Sequence, residues 1–102
     1  MASHNLKIEK FTGRNGFDLW QVKMRALLKQ QGIWAPLDTE RAKALEPSEL
    51  LVQEEKAHST ILLCLADEII AEVADQPTAA SLWLRLESLY MTKSLTNKLL
   101  LK

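Results

Sequence analysis

The chain is poor in the residue types that most small functional sites need. It has one cysteine, Cys64, so no intrachain disulfide can form. Cys64 stands in the apolar run Ile61-Leu62-Leu63-Cys64-Leu65 and is read as a small buried side chain, not a reactive thiol. There are two histidines. His4 lies in the N-terminal segment. Glu54 and His58 share a helix face, but no second histidine follows at metal-site spacing. The three glycines, Gly13, Gly16 and Gly32, do not form a phosphate-cradling loop, because none precedes Lys-Ser/Thr in the required register. No apolar run approaches the ~18 residues of a membrane span. The opening Met1-Ala2-Ser3-His4-Asn5 lacks the apolar core of a signal peptide and the glycine that myristoylation needs. Glu68, Glu72 and Asp75 are read as a solvated helix side rather than an acid–base pair. No nucleophile–histidine constellation is suggested. The reading is a cytoplasmic non-enzyme with no catalytic residue, cofactor, metal or membrane anchor.

What the chain does have is ordinary core-forming material. Its 102 residues suffice for one domain, with a hydrophobic fraction of 47% and a charged fraction of 25%. Net charge is zero but unevenly spread: +4 over residues 1–31, −7 over 32–83 and +3 over 84–102. Two explanations stand: basic end helices neutralise an acidic middle within one molecule, or opposite patches meet between copies. The overall balance is not that of a nucleic-acid binder.

The periodicity predicts an all-α fold, a small orthogonal bundle of about four to five helices. Residues 1–16 are an extended lead-in and turn, with Leu6, Ile8 and Phe11 alternating with charged residues. Residues 17–102 form one helical domain. The first helix is expected over Phe17–Gln31, with Phe17, Trp20, Met24, Leu27 and Leu28 as its apolar stripe and Gly32 as terminator. Ala35–Pro47 is a connector without secure structure. A second helix starts near Pro47, a first-turn residue. Its apolar residues, Leu51, His58, Leu62 and Leu65 beside Leu50, Ala57, Ile61 and Cys64, widen to more than half its circumference, which predicts burial on several sides. Asp67 is expected to cap a short helix over Glu68–Ala74. Thr78 caps a fourth, Ala79 to about Met91, with Leu82, Trp83, Leu86, Leu89 and Tyr90 as its stripe. Ser94 caps a last helix containing Leu95, Leu99, Leu100 and Leu101.

The expected core anchors are Phe17, Trp20, Met24, Leu28, Ile61, Leu65, Leu82, Trp83, Leu86 and Tyr90. The expected partner contacts are Trp34, beside a helix end and Pro36, and the terminal leucines Leu95, Leu99, Leu100 and Leu101. If the chain stops at Lys102, those leucines are the largest exposed apolar feature.

Some of this wording is more specific than periodicity. Phe11-Thr12-Gly13, Phe17, Trp20, Met24, Leu28 and Gln31-Gly32-Ile33-Trp34 resemble the opening of Gag from plant copia-type (Pseudoviridae) LTR retrotransposons. Leu65-Ala66-Asp67-Glu68, Thr78-Ala79 and Leu82-Trp83 resemble the part that follows. The long run Leu86-Glu87-Ser88-Leu89-Tyr90-Met91-Thr92-Lys93-Ser94-Leu95-Thr96-Asn97-Lys98-Leu99 is the strongest piece. The resemblance runs from about Leu6 onward. It implies a helical, capsid-like domain, the N-terminal portion of a capsid region truncated at its C-terminal end. In such proteins further capsid helices, a zinc knuckle for RNA, protease, integrase and reverse transcriptase follow. This chain contains none of them, so the resemblance carries over no catalytic residue and no direct nucleic-acid site. It implies a structural Gag or a domesticated remnant whose partners are itself or other Gag chains. The alternative is a host-captured helical adaptor that grips another protein in a groove or on an apolar patch.

Overall fold

The computed structural model describes residues 8–91. Five α-helices follow one another: α1 (Phe17–Gln30), α2 (Thr39–Lys43), α3 (Pro47–Leu63), α4 (Asp67–Val73) and α5 (Ala79–Leu86). A 3-10 turn, Ala35–Leu37, precedes α2, and a π turn, Glu87–Met91, continues α5. Among the described residues, extended pairing is limited to one isolated parallel bridge between Phe11 and Leu65. The fold is all-α.

Local sequence signals explain most helix ends. Gly32 follows the α1 C-cap Gln31 with φ +72°, a conformation that costs glycine little. The chain then turns back, and Ile33 donates its N–H to the Leu28 carbonyl and buries its side chain. Pro47 opens α3 where a missing N–H costs nothing. Thr78 and Ser81 form a reciprocal capping box at α5: the Ser81 N–H donates to Thr78 Oγ1 at 3.0 Å, and the Thr78 N–H donates to Ser81 Oγ at 3.1 Å.

Other ends differ from the sequence reading. The Ala35–Pro47 connector is largely helical, because the Asp38 carboxylate accepts the Glu40 and Arg41 N–H groups and so caps α2. Asp67 is the first residue of α4 and caps nothing; Ala66 occupies the cap position without a side-chain bond. The α form of α5 ends at Leu86, not Met91, and the chain continues as the π turn. The predicted helix after Ser94 lies outside the described residues.

The core is one cluster. Phe17, Trp20, Met24, Leu27 and Leu28 of α1 meet Ala57 and Ile61 of α3, Ile69 and Val73 of α4, and Leu82, Trp83 and Leu86 of α5. α3 packs on α5, yet it is not covered on several sides. Ile61 is fully buried while Leu63 is 74% exposed, and Leu51 also faces solvent. A broad apolar face marks what can be covered; the width of the neighbouring helix decides how much is. Cys64 is half-buried rather than buried.

Phe11, in the extended lead-in, is as buried as any helical residue. Its N–H donates to the Cys64 carbonyl, and its own carbonyl accepts from the Ala66 N–H, both at 3.0 Å. The Trp20 indole N–H donates to the same Cys64 carbonyl at 3.2 Å. The last carbonyls of a helix have no partner within it. Here two residues from the N-terminal part of the chain satisfy one at the end of α3.

Candidate interaction surface

The aromatic side chains form a connected series that leads from the core to the surface. Phe11 meets Phe17, Trp20 and Tyr90 with ring centroids 5.2, 5.7 and 4.8 Å apart. Trp20 stacks on Trp83 at 6.2 Å, and Trp83 meets Trp34 edge-on at 5.6 Å. Trp34 is half-buried at the outer end. Two cations from the last turns of α1 lie over it, Arg25 Cζ at 5.8 Å and Lys29 Nζ at 5.6 Å from the ring centroid. Cation–π attraction holds both side chains against the ring.

Of the expected core anchors, Phe17, Trp20, Met24, Leu28, Ile61, Leu65, Leu82, Trp83 and Leu86 are buried, and Tyr90 is half-buried. Trp34 is of intermediate exposure, packs against the core cluster and lies under Arg25 and Lys29. Leu95, Leu99, Leu100 and Leu101 lie outside the described residues. Among the described residues the exposed large apolar side chains are Leu19, Val22, Leu51, Val52, Leu63 and Leu84. An open groove of about 520 Å³ runs between the end of α1 and α3. Its walls are Ile33 and Val52 together with Gln31, Glu55, Lys56, Ser59 and Thr60. An amphipathic helix docks through an apolar stripe, and this mainly polar groove offers none.

Several charged and polar residues serve the fold. The Glu54 carboxylate on α3 accepts the Ala79 N–H at the start of α5, and His58, one turn on, donates from Nε2 to the Gln76 carbonyl at 2.9 Å. A carbonyl only accepts, so Nε2 carries the proton. The two residues that sequence spacing placed on one face thus clasp the α4–α5 connection. Buried Gln21 donates from Nε2 to Glu87 Oε2 at 2.7 Å, tying α1 to the π turn. Among the described residues, no group of three His, Cys, Asp or Glu side chains is placed to hold a metal ion. No described helix is long and apolar enough to cross a membrane. Burial pushes the Cys64 thiol up, and the nearby charge of Lys10 only partly opposes it, so the reactive thiolate is disfavoured.

The ion pair among the described residues is Arg41 with Asp38, three residues apart. Among these residues the cations of α1 and the acids of α4 do not pair with one another.

Tyr90 joins the aromatic series to α4, donating its O–H to Glu72 Oε1 at 2.8 Å. Burial first, then that hydrogen bond and the Glu72 charge, push the phenol up to about 12. The folded state therefore holds a proton that the unfolded chain releases near pH ~10. The stabilisation is complete below that pH and is lost as pH rises through about 12. Tyr90 is the sole tyrosine, so ultraviolet titration of tyrosinate reads it alone. The expected midpoint is about 12, lower in Glu72→Gln but still raised, because burial acts in both. A native midpoint equal to that of the denatured chain refutes the contact.

The gag-polypeptide family of LTR copia-type matches residues 24–102, which takes in the second half of α1 and all of α2 to α5. The chain belongs to the copia-type LTR Gag family. This Gag-type chain is 43% identical over 104 residues to the "Retrovirus-related Pol polyprotein from transposon TNT 1-94" of Nicotiana tabacum. The alignment takes in all of this chain and 8% of that relative. No solved structure matches it. The Gag-type chain therefore corresponds to a small, helical part of such a polyprotein. Sequence reasoning found the anchors of this fold but missed Glu54 and Gln21 as cross-helix ligands, because nothing in periodicity pairs residues 25 and 66 positions apart.

Proposed function

We propose that this chain is a structural, non-catalytic Gag protein of the cytoplasm that acts by self-association in retrotransposon particle assembly. Family membership across residues 24–102 carries this reading. The structure supports it by what it leaves uncovered. Val22, Leu63 and Leu84 are more than half exposed, and among the described residues no ion pair joins the cations of α1 to the acids of α4. Such groups are met by another chain more readily than by a small substrate. The partners are other copies of this chain or longer Gag chains.

Light scattering across a concentration series is the test. The expected result is a weight-average mass that rises with concentration, alone and on addition of full-length Gag. A mass that stays monomeric at high concentration under both conditions overturns the reading.

A further inference from the structure

Two faces on this molecule carry opposite charge: two cations four residues apart on α1, and three acids spread over seven residue steps on α4 and the turn after it. On α1, Val22, Arg25, Ala26 and Lys29 follow one another at helical spacing and contain no acid. Val22 is 56% exposed, Ala26 and Lys29 are exposed, and Arg25 and Lys29 are held over Trp34. On α4 and the turn after it, Glu68, Ala71, Glu72 and Asp75 are all exposed at the same spacing. No lysine or arginine occurs from residue 57 to residue 84. Both stripes span seven residue steps, or ~10 Å along a helix.

Local physics disfavours both stripes. Arg25 and Lys29 are like charges four apart, as are Glu68 and Glu72, and each pair repels on its own helix. α4 also has no basic residue in its last turn, where the helix dipole favours one, and Asp75 stands just beyond its end. Glu72 spends one carboxylate oxygen on Tyr90; Glu68 makes no ion pair within the described residues. Neither stripe relieves the other inside one molecule.

We propose that the cationic stripe of α1 beside Trp34 docks on the acidic stripe of α4 in a second copy, head to tail. The proposal rests on the self-association reading and names its surfaces. The second copy is the occupant that supplies the opposite charge. Trp34 contributes more than packing: it fixes the two cations in place before contact, so less side-chain freedom is lost on docking. A tryptophan edged by arginine is also the composition of strong interface positions. Because the two patches differ, the contact is heterologous. A docked pair keeps one free α1 face and one free α4 face between its two copies, so the assembly grows into rings or open chains instead of stopping at a dimer.

The test is sedimentation equilibrium on the full chain and two charge reversals, Arg25→Glu/Lys29→Glu and Glu68→Lys/Asp75→Lys. These leave the core and the Tyr90–Glu72 bond in place. Each reversal alone is expected to weaken association by about tenfold or more. An equimolar mixture of the two is expected to restore it, since each variant then offers the charge the other lacks. Association of the unaltered chain should also weaken as salt rises. Circular dichroism melts confirm that both variants fold, and the neutral Arg25→Gln/Lys29→Gln variant replaces a reversal that does not. If the unaltered chain associates and neither reversal changes its mass, or mixing restores nothing, this interface is wrong while self-association stands. If the unaltered chain stays monomeric, both fall.

Discussion

Replacing Trp83 with alanine lowers the unfolding free energy by about 3–5 kcal/mol, the range for deleting a buried aromatic side chain. Three observations place it there. Trp83 is 7% exposed in the middle of the core cluster. It bridges Trp20 on one side and Trp34 on the other, and such ring pairs add about 0.5–1.5 kcal/mol beyond burial. It also sits on α5, whose α form is eight residues long. Isolated helices that short are marginal in water, so α5 owes its stability to the face it packs. A domain of this size holds only about 5–15 kcal/mol in all, so the variant is expected to melt at markedly lower denaturant. Urea unfolding followed by far-ultraviolet circular dichroism measures it. The exposed neighbour Leu84, 62% accessible, is the control: Leu84→Ala should stay within about 0.5 kcal/mol of the parent. A loss below ~1 kcal/mol for Trp83→Ala would mean that the Trp20–Trp83–Trp34 series does not hold the helices together.

Phe11→Ala is expected to cost as much, about 3–5 kcal/mol, although Phe11 belongs to no helix. Its side chain is 1% exposed and touches three other rings. Its backbone makes the bridge to Leu65. Removing the ring leaves a cavity between α1, the end of α3 and Tyr90, and weakens the hold on the lead-in. Amide exchange separates this from a simple loss of packing. The Phe11 and Ala66 N–H groups donate across the bridge and should lose protection beyond the global loss. Phe11→Leu, which keeps an apolar side chain, should recover most of both effects. If Phe11→Ala leaves stability and exchange unchanged, the extended segment is not part of the core.

The two residues show where sequence reading succeeds and where it stops. Trp83 announces itself, because Leu82, Trp83 and Leu86 recur at helical spacing behind a threonine cap. Phe11 does not. It ends a short stretch that alternates with charged residues and is too short to build a sheet, so its pattern says extended and leaves its burial open. α3 shows the opposite error. The apolar run from Ile61 to Leu65 at its end reads as buried on several sides, yet Leu63 projects into solvent. Periodicity records which residues tolerate burial, whereas coverage depends on how many neighbours the helix meets.

The sequence by itself determined the family, the all-α class and the features decided within a turn of chain. Gly32 ends α1, Pro47 opens α3 and Thr78 caps α5 because each depends on φ, a missing N–H or a hydroxyl three residues from its target. Tertiary structure alone decided the rest. Glu54 reaches the start of α5, Gln21 reaches Glu87, and Phe11 closes the end of α3. Trp34 becomes the platform for Arg25 and Lys29, and Glu72 of α4 accepts the Tyr90 hydroxyl. Each of these depends on the distance and angle between helices far apart in sequence, which many side chains set together and no local pattern encodes.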